Sequence, residues 1–168
     1  CSNGKVYTRT RIGEQNRAKL AKTKKGKPAK YLSPKGEGNR VYHSHIALSR
    51  ENYQQKLNDR FIPLRITEGE LKAEAANAYD LDCITIALSG VTSWLDKRGG
   101  EDSSVAIPEL TSINLQRREI RLAFDSDFMK PQVYSALKKL AESLLNDFDA
   151  YVLIEVLPNG LDKKRLGI

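Results

Sequence analysis

Beyond residue 60 the chain alternates short apolar runs with amphipathic stretches, a rhythm that the first third lacks. Residues 61–67 (FIPLRIT) form a compact apolar run that ends at Glu68-Gly69, the signature of a short strand. Residues 70–79 then read as a helix, with Leu71, Ala75 and Ala78 spaced to share one face. Thr67 and Glu70 have the spacing of a capping box, so the turn from strand to helix is expected to be encoded locally. Residues 82–88 (DCITIAL) are almost continuously apolar, as in a strand covered on both faces, and Ser89-Gly90 ends them. A loop through Arg98-Gly99-Gly100 leads to a helical turn at Pro108, and residues 119–124 (EIRLAF) make the next strand. Pro131 suits the first position of a helix whose face is Val133, Leu137, Leu140, Ala141 and Leu144. Residues 150–156 (AYVLIEV) form a last strand, closed by Pro158-Asn159-Gly160. Such alternation predicts an α/β domain with a mostly parallel sheet, flanking helices and right-handed crossovers.

The upstream pattern differs. Residues 5–12, 29–32 and 40–46 are short strand candidates, separated by the turn-rich stretches 22–27 (KTKKGK) and 33–39 (SPKGEGN). Ser49 can cap a short helix running to Asn58. This predicts a small β-rich extension over residues 1–47 and an α/β domain over residues 48–168. A chain that opens on Cys1 and stops at Ile168 is expected to be a piece of a longer protein.

Charge sharpens that division. Residues 1–50 carry thirteen Lys and Arg against Glu14 and Glu37, a net of +11, which leaves −4 for the rest of a chain whose total is +7. A basic arm on a mildly acidic body points to an anionic partner. Arg9, Arg11, Lys24, Lys25, Lys30, Lys35 and Arg40 are the candidate phosphate contacts, interleaved with Tyr7, Tyr31 and Tyr42 as stacking surfaces. Cys1 and Cys83 with His43 and His45 make a poor zinc set, and a reducing cytoplasmic setting is expected. No apolar run approaches the roughly 18 residues that span a bilayer, so no membrane partner is expected.

The candidate chemistry lies at the strand ends. Open parallel sheets bind ligands beyond their carboxyl edges. Two acidic motifs fall there: Glu68-Gly69 after the first strand and Asp125-Ser126-Asp127 after the third. In extended backbone, Asp125 and Asp127 would point the same way with Cα atoms about 6.6 Å apart. Two carboxylates 4 Å apart repel by about 4 kcal/mol at an effective dielectric near 20. Three such groups call for a counter-charge, and Mg²⁺ fits because it accepts few carboxylates while keeping waters and phosphate oxygens; Mn²⁺ would also serve. Gly69 allows a tight turn beside them.

Taken together, ITEGELKA (66–73), IALSGVTSW (86–94), IRLAFDSDF (120–128) and VLIEVLPNGLDKKRLGI (152–168) resemble the Toprim domain of primases, topoisomerases and some nucleases. The closest likeness is to an uncharacterised Toprim-like family of plasmid and mobile-element replication proteins, often cyanobacterial, which also has a KYLSPKG-like segment (30–36) ahead of the Glu motif. The resemblance implies a Rossmann-like fold, with Glu68 as catalytic acid/base and Asp125 and Asp127 as Mg²⁺ ligands. It also implies nucleic acid as partner, DNA before RNA, and primase or helicase modules in the same or another chain. Two positions depart from the pattern. Lys72 stands where primase-type domains have Asp, and the acidic pair expected after the final Gly-Ile falls beyond Ile168, which makes Asp162 a candidate extra ligand. Gly90 and Lys72 are further candidates at the rim. The implied activity is primer-forming nucleotidyl transfer or strand cleavage; the alternative is a non-catalytic nucleic-acid-binding module.

Overall fold

The computed structural model describes residues 38–96, 105–125 and 130–156, together with residue 16 and the backbone of two short upstream strands. The chain divides into two compact units between Gly38 and Asn39. In the first, β1 (Thr10–Arg11) pairs antiparallel with β2 (Tyr31–Leu32), within two of the stretches expected to be extended.

The second unit holds a five-stranded sheet of β3 (Tyr42–His43), β4 (Leu64–Glu68), β5 (Ile84–Leu88), β6 (Glu119–Ala123) and β7 (Tyr151–Ile154). The strand order is β3-β5-β4-β6-β7, with β3 antiparallel to β5 and every other pair parallel. The helices are α1 (His45–Leu48), α2 (Tyr53–Asn58), α3 (Glu70–Tyr79), α4 (Pro108–Thr111) and α5 (Pro131–Phe148). The protein is therefore an α/β fold with a mostly parallel sheet flanked by helices. Among the described residues no helix is long and apolar enough to cross a membrane.

Strand alternation sorts the two faces of the sheet. Leu64 and Ile66 of β4, Ile84, Ile86 and Leu88 of β5, and Ile120 and Leu122 of β6 share one core. Leu137, Leu140 and Leu144 of α5 pack into that core, with Tyr53 and Leu57 of α2 and Trp94. Each such large apolar side chain contributes about 1.5–3 kcal/mol on burial. The α5 face expected from its spacing is the face used, because Leu side chains at helical spacing have only this apolar surface to meet.

Four local expectations are corrected. Residues 40–46 do not form one strand: Ser44 leaves the sheet after His43, and its hydroxyl accepts from the Ala47 amide to start α1. No helix begins at Ser49, since Asn52 takes the left-handed conformation (φ 57°) and α2 starts after it. The capping box does not form. Thr67 is still in β4, where its hydroxyl donates to the Ala123 carbonyl at 2.7 Å, and the residue preceding α3 is Gly69, with φ 91°.

The buried face of α3 is Ala73 and Asn77, whereas Leu71 is 63% exposed. Asn77 explains the reversal. Its amide donates to the Thr85 carbonyl and accepts from the Thr85 N–H, at 2.7 and 3.0 Å. It also donates to Ser44 Oγ and the Ala73 carbonyl. Strand β3 pairs with β5 only at Ala87 and Ile86, so Thr85 is the next edge residue. The side-chain amide completes the ladder there as a peptide would.

Candidate functional site

The chain leaves β4 toward β5 on one side, and the strand on its other side is β6. The gap between the carboxyl ends of β4 and β6 is thus the point where the connections change direction, and ligands settle in such crevices. Two residues from the sequence motifs sit at this position. Glu68 is the last residue of β4, and Asp125 follows β6 by two residues. Thr67 pairs with Ala123, so one further step of the parallel register sets Glu68 beside Phe124, directly before Asp125. Neighbouring strands are about 4.8 Å apart, so both residues lie at the same rim of the sheet.

Gly69 and Gly90 border this rim. Gly69 turns at φ 91°, a conformation that L side chains rarely adopt, and its N–H donates to the Leu88 carbonyl at 3.0 Å. That bond ties the start of α3 to the end of β5. Gly90 follows β5, and a Cβ built on it would lie 4.0 Å from Glu68 Oε1 and 3.7 Å from Ser93 Oγ. The Glu68 carboxylate thus lies beside Gly90, on the β5 side of its strand end. The same contact brings the Ser93 hydroxyl to the rim, a residue that no motif singles out. Only its position three residues after Gly90, in a turn closed by the Ser93 N–H to Gly90 carbonyl bond (2.9 Å), gives a sign of it.

Lys72 completes the group. It occupies the third position of α3, and its ammonium forms an ion pair with Asp125 Oδ1. Both side chains are partly in water, 42% and 38% exposed. The rim thus carries Glu68, Gly69, Lys72, Gly90 and Asp125. Asp127 and Asp162 lie outside the described residues, as do Arg9, Lys24, Lys25, Lys30 and Lys35; of Arg11 only the backbone, in β1, is described. Arg40 precedes β3, and its guanidinium makes an ion pair with Glu109, at the start of α4. That half-buried pairing competes with any phosphate contact.

Among the described residues, no group of three or more His, Cys, Asp and Glu side chains is placed to hold a metal ion. The donor chemistry of the described part still fits a hard divalent cation: two carboxylates on adjacent strand ends, one of them already neutralised by an ammonium that stands in for a cation. Trp94 is 4% exposed and belongs to the core rather than the rim. Arg117 pairs with Asp149. Arg118 is fully buried and donates to the carbonyls of Ile62 (2.8 Å), Leu57 and Asn114 (3.3 Å). Neither arginine is at the carboxyl ends of the strands.

No curated protein and no solved structure matches the chain. Residues 53–163 match the family model described as "Domain of unknown function (DUF3854)", a span that includes β4 to β7 and every described residue of the rim. The match covers more than half of the sequence, and the chain belongs to the DUF3854 family.

Proposed function

We propose that this domain carries out Mg²⁺-dependent phosphodiester chemistry on nucleic acid, with Asp125 and Asp127 as metal ligands and Glu68 as the proton-transferring group. The observation that supports the reading is that Glu68 and Asp125 lie at the carboxyl ends of adjacent parallel strands, at the switch point of the sheet. The order of the motifs along the chain, which resembles that of Toprim domains, supports it as well. Mg²⁺ would neutralise phosphate charge and lower the pKa of a bound water or hydroxyl. Glu68 takes up the proton released by the attacking oxygen. Basic side chains of residues 1–47 hold the phosphate backbone, which makes affinity fall steeply with salt. The product is a new or a broken phosphodiester bond in replication of plasmid or mobile DNA, with primase or helicase modules as partners.

Calorimetric titration with Mg²⁺ and Mn²⁺ tests the site. Asp125→Asn is expected to weaken binding by about ten-fold or more, which corresponds to about 1.4 kcal/mol. Its thermal midpoint is expected to stay within a few degrees of wild type. Equal affinity in wild type, Asp125→Asn and Glu68→Gln would reject the site.

One observation favours a second reading. The Lys72–Asp125 pair supplies a positive charge without any metal, as suits a module that binds nucleic acid but does not turn it over. Retained oligonucleotide binding with no cleavage or extension in Mg²⁺ or Mn²⁺ would favour that reading over the first.

A further inference from the structure

We propose that Lys72 is the resident counter-ion of the rim: its ammonium holds Asp125 while no divalent cation is bound, and it competes with that cation for the carboxylate. The inference rests on Asp125 being a metal ligand, the reading given above.

Three observations carry it. First, the ion pair itself places the Lys72 nitrogen on the carboxylate oxygen that a cation would use. Second, Lys72 sits in the first turn of α3, where the helix dipole disfavours a cation. A lysine there costs the helix stability, and its pairing with the Asp125 carboxylate works against that cost. Third, both partners remain partly hydrated, so the ammonium can leave without being stranded in an apolar interior. A fully buried pair would resist exchange, because separating it leaves an uncompensated charge. A pair at the surface is worth no more than about 1 kcal/mol, a barrier that a divalent ion can overcome. Lys72 is thus a positioning residue, which acts through Asp125.

The test is a titration with Mn²⁺ alone, followed by calorimetry and by electron paramagnetic resonance of free Mn²⁺, on the full chain. Lys72→Met removes the competitor and is expected to bind Mn²⁺ about five-fold more tightly than wild type, the factor that a 1 kcal/mol surface pair represents. Lys72→Arg keeps the charge and is expected to stay within about two-fold of wild type on the same grounds. Added Mn²⁺ is expected to raise the thermal midpoint of Lys72→Met more than that of wild type, since a ligand stabilises in proportion to its occupancy. A merely structural lysine would change the midpoint without Mn²⁺ and leave the affinity as it was. Equal or weaker Mn²⁺ binding by Lys72→Met, with Asp125→Asn still defective, overturns the counter-ion role and leaves the metal site standing. If no variant binds Mn²⁺, or Asp125→Asn binds as wild type does, the site itself falls and this inference falls with it.

Discussion

Arg118 and Lys72 are both cations of the α/β unit, set next to the two ends of the same parallel sheet, and they are held in opposite ways. Arg118 immediately precedes β6, has no exposed surface, and spends its guanidinium on the carbonyls of Leu57, Ile62 and Asn114. Burial draws its pKa down to about 10, and Nη2 has no hydrogen-bond partner among the described residues. Lys72 lies beyond the other end of the strands, half in water, paired with the Asp125 carboxylate. Fastening backbone carbonyls in a dry interior makes a charge immovable, because nothing could replace its hydrogen bonds once it left. Leaving the charge hydrated makes it exchangeable. The foot of the sheet uses its cation as a bolt, and the rim uses its cation as a counter-ion.

The largest effect expected from this contrast is on stability. Arg118→Met keeps much of the side-chain volume but leaves three carbonyls without their donor, and each such buried loss costs about 1–3 kcal/mol. Relief of the buried charge returns part of that, so a net loss of about 2–4 kcal/mol is expected in urea unfolding. Lys72→Met should lose less than about 1 kcal/mol in the same measurement. Similar losses for the two variants would erase the distinction between them.

Asn77 offers a neutral version of the bolt. Asn77→Leu is close in size and leaves the Thr85 N–H and C=O unpaired at the edge of β5. A loss of about 2–3 kcal/mol is expected, with divalent-ion affinity unchanged because Asn77 lies a turn and more from Lys72. Altered Mn²⁺ binding in this variant would show that the packing of α3 and the rim are coupled.

These two fastenings were also the least legible parts of the chain. The continuous run of β5 and the Leu137, Leu140, Leu144 stripe of α5 express their burial in spacing alone, and the structure uses both as read. Glu68 and Asp125 were visible because each directly follows a strand-forming run, and parallel pairing of β4 with β6 then brings them to one edge. Period could not reveal that α3 turns Asn77 inward and Leu71 outward, since the choice is made by an edge peptide on β5, not by apolar content. Nor could it reveal that Thr67 bonds the Ala123 carbonyl instead of capping a helix, or that Lys72 meets Asp125. Both depend on which strands become neighbours. Arg40, counted with the basic arm, lies in the α/β unit and pairs there with Glu109, a neighbour that charge counting could not show.

Arg40 therefore gives a smaller test of the same contrast. Arg40→Ala breaks a half-buried ion pair and is expected to cost about 1 kcal/mol of stability. Oligonucleotide affinity should stay within about two-fold of wild type, whereas Lys24→Ala/Lys25→Ala should weaken it and lower its salt dependence. A drop in affinity for Arg40→Ala equal to that of the lysine pair would return Arg40 to the phosphate-binding set.

The smallest expected effect concerns a titratable group fastened as Arg118 is. His43, the last residue of β3, shares a 2.6 Å hydrogen bond with the Tyr53 hydroxyl, and burial pushes its pKa below the usual 6.5 while Glu109 pulls weakly the other way. The unfolded chain therefore binds a proton near pH 6.5 that the folded chain still refuses. Stability from this source is complete above pH 6.5 and declines as pH falls from there toward the lower folded value, with a slope of at most about 1.4 kcal/mol per pH unit. Urea midpoints at pH 7.5 and 5.5 should differ more for wild type than for His43→Gln, which has no proton to take up. A difference between the two midpoints that is as large in His43→Gln as in wild type would place the pH sensitivity elsewhere.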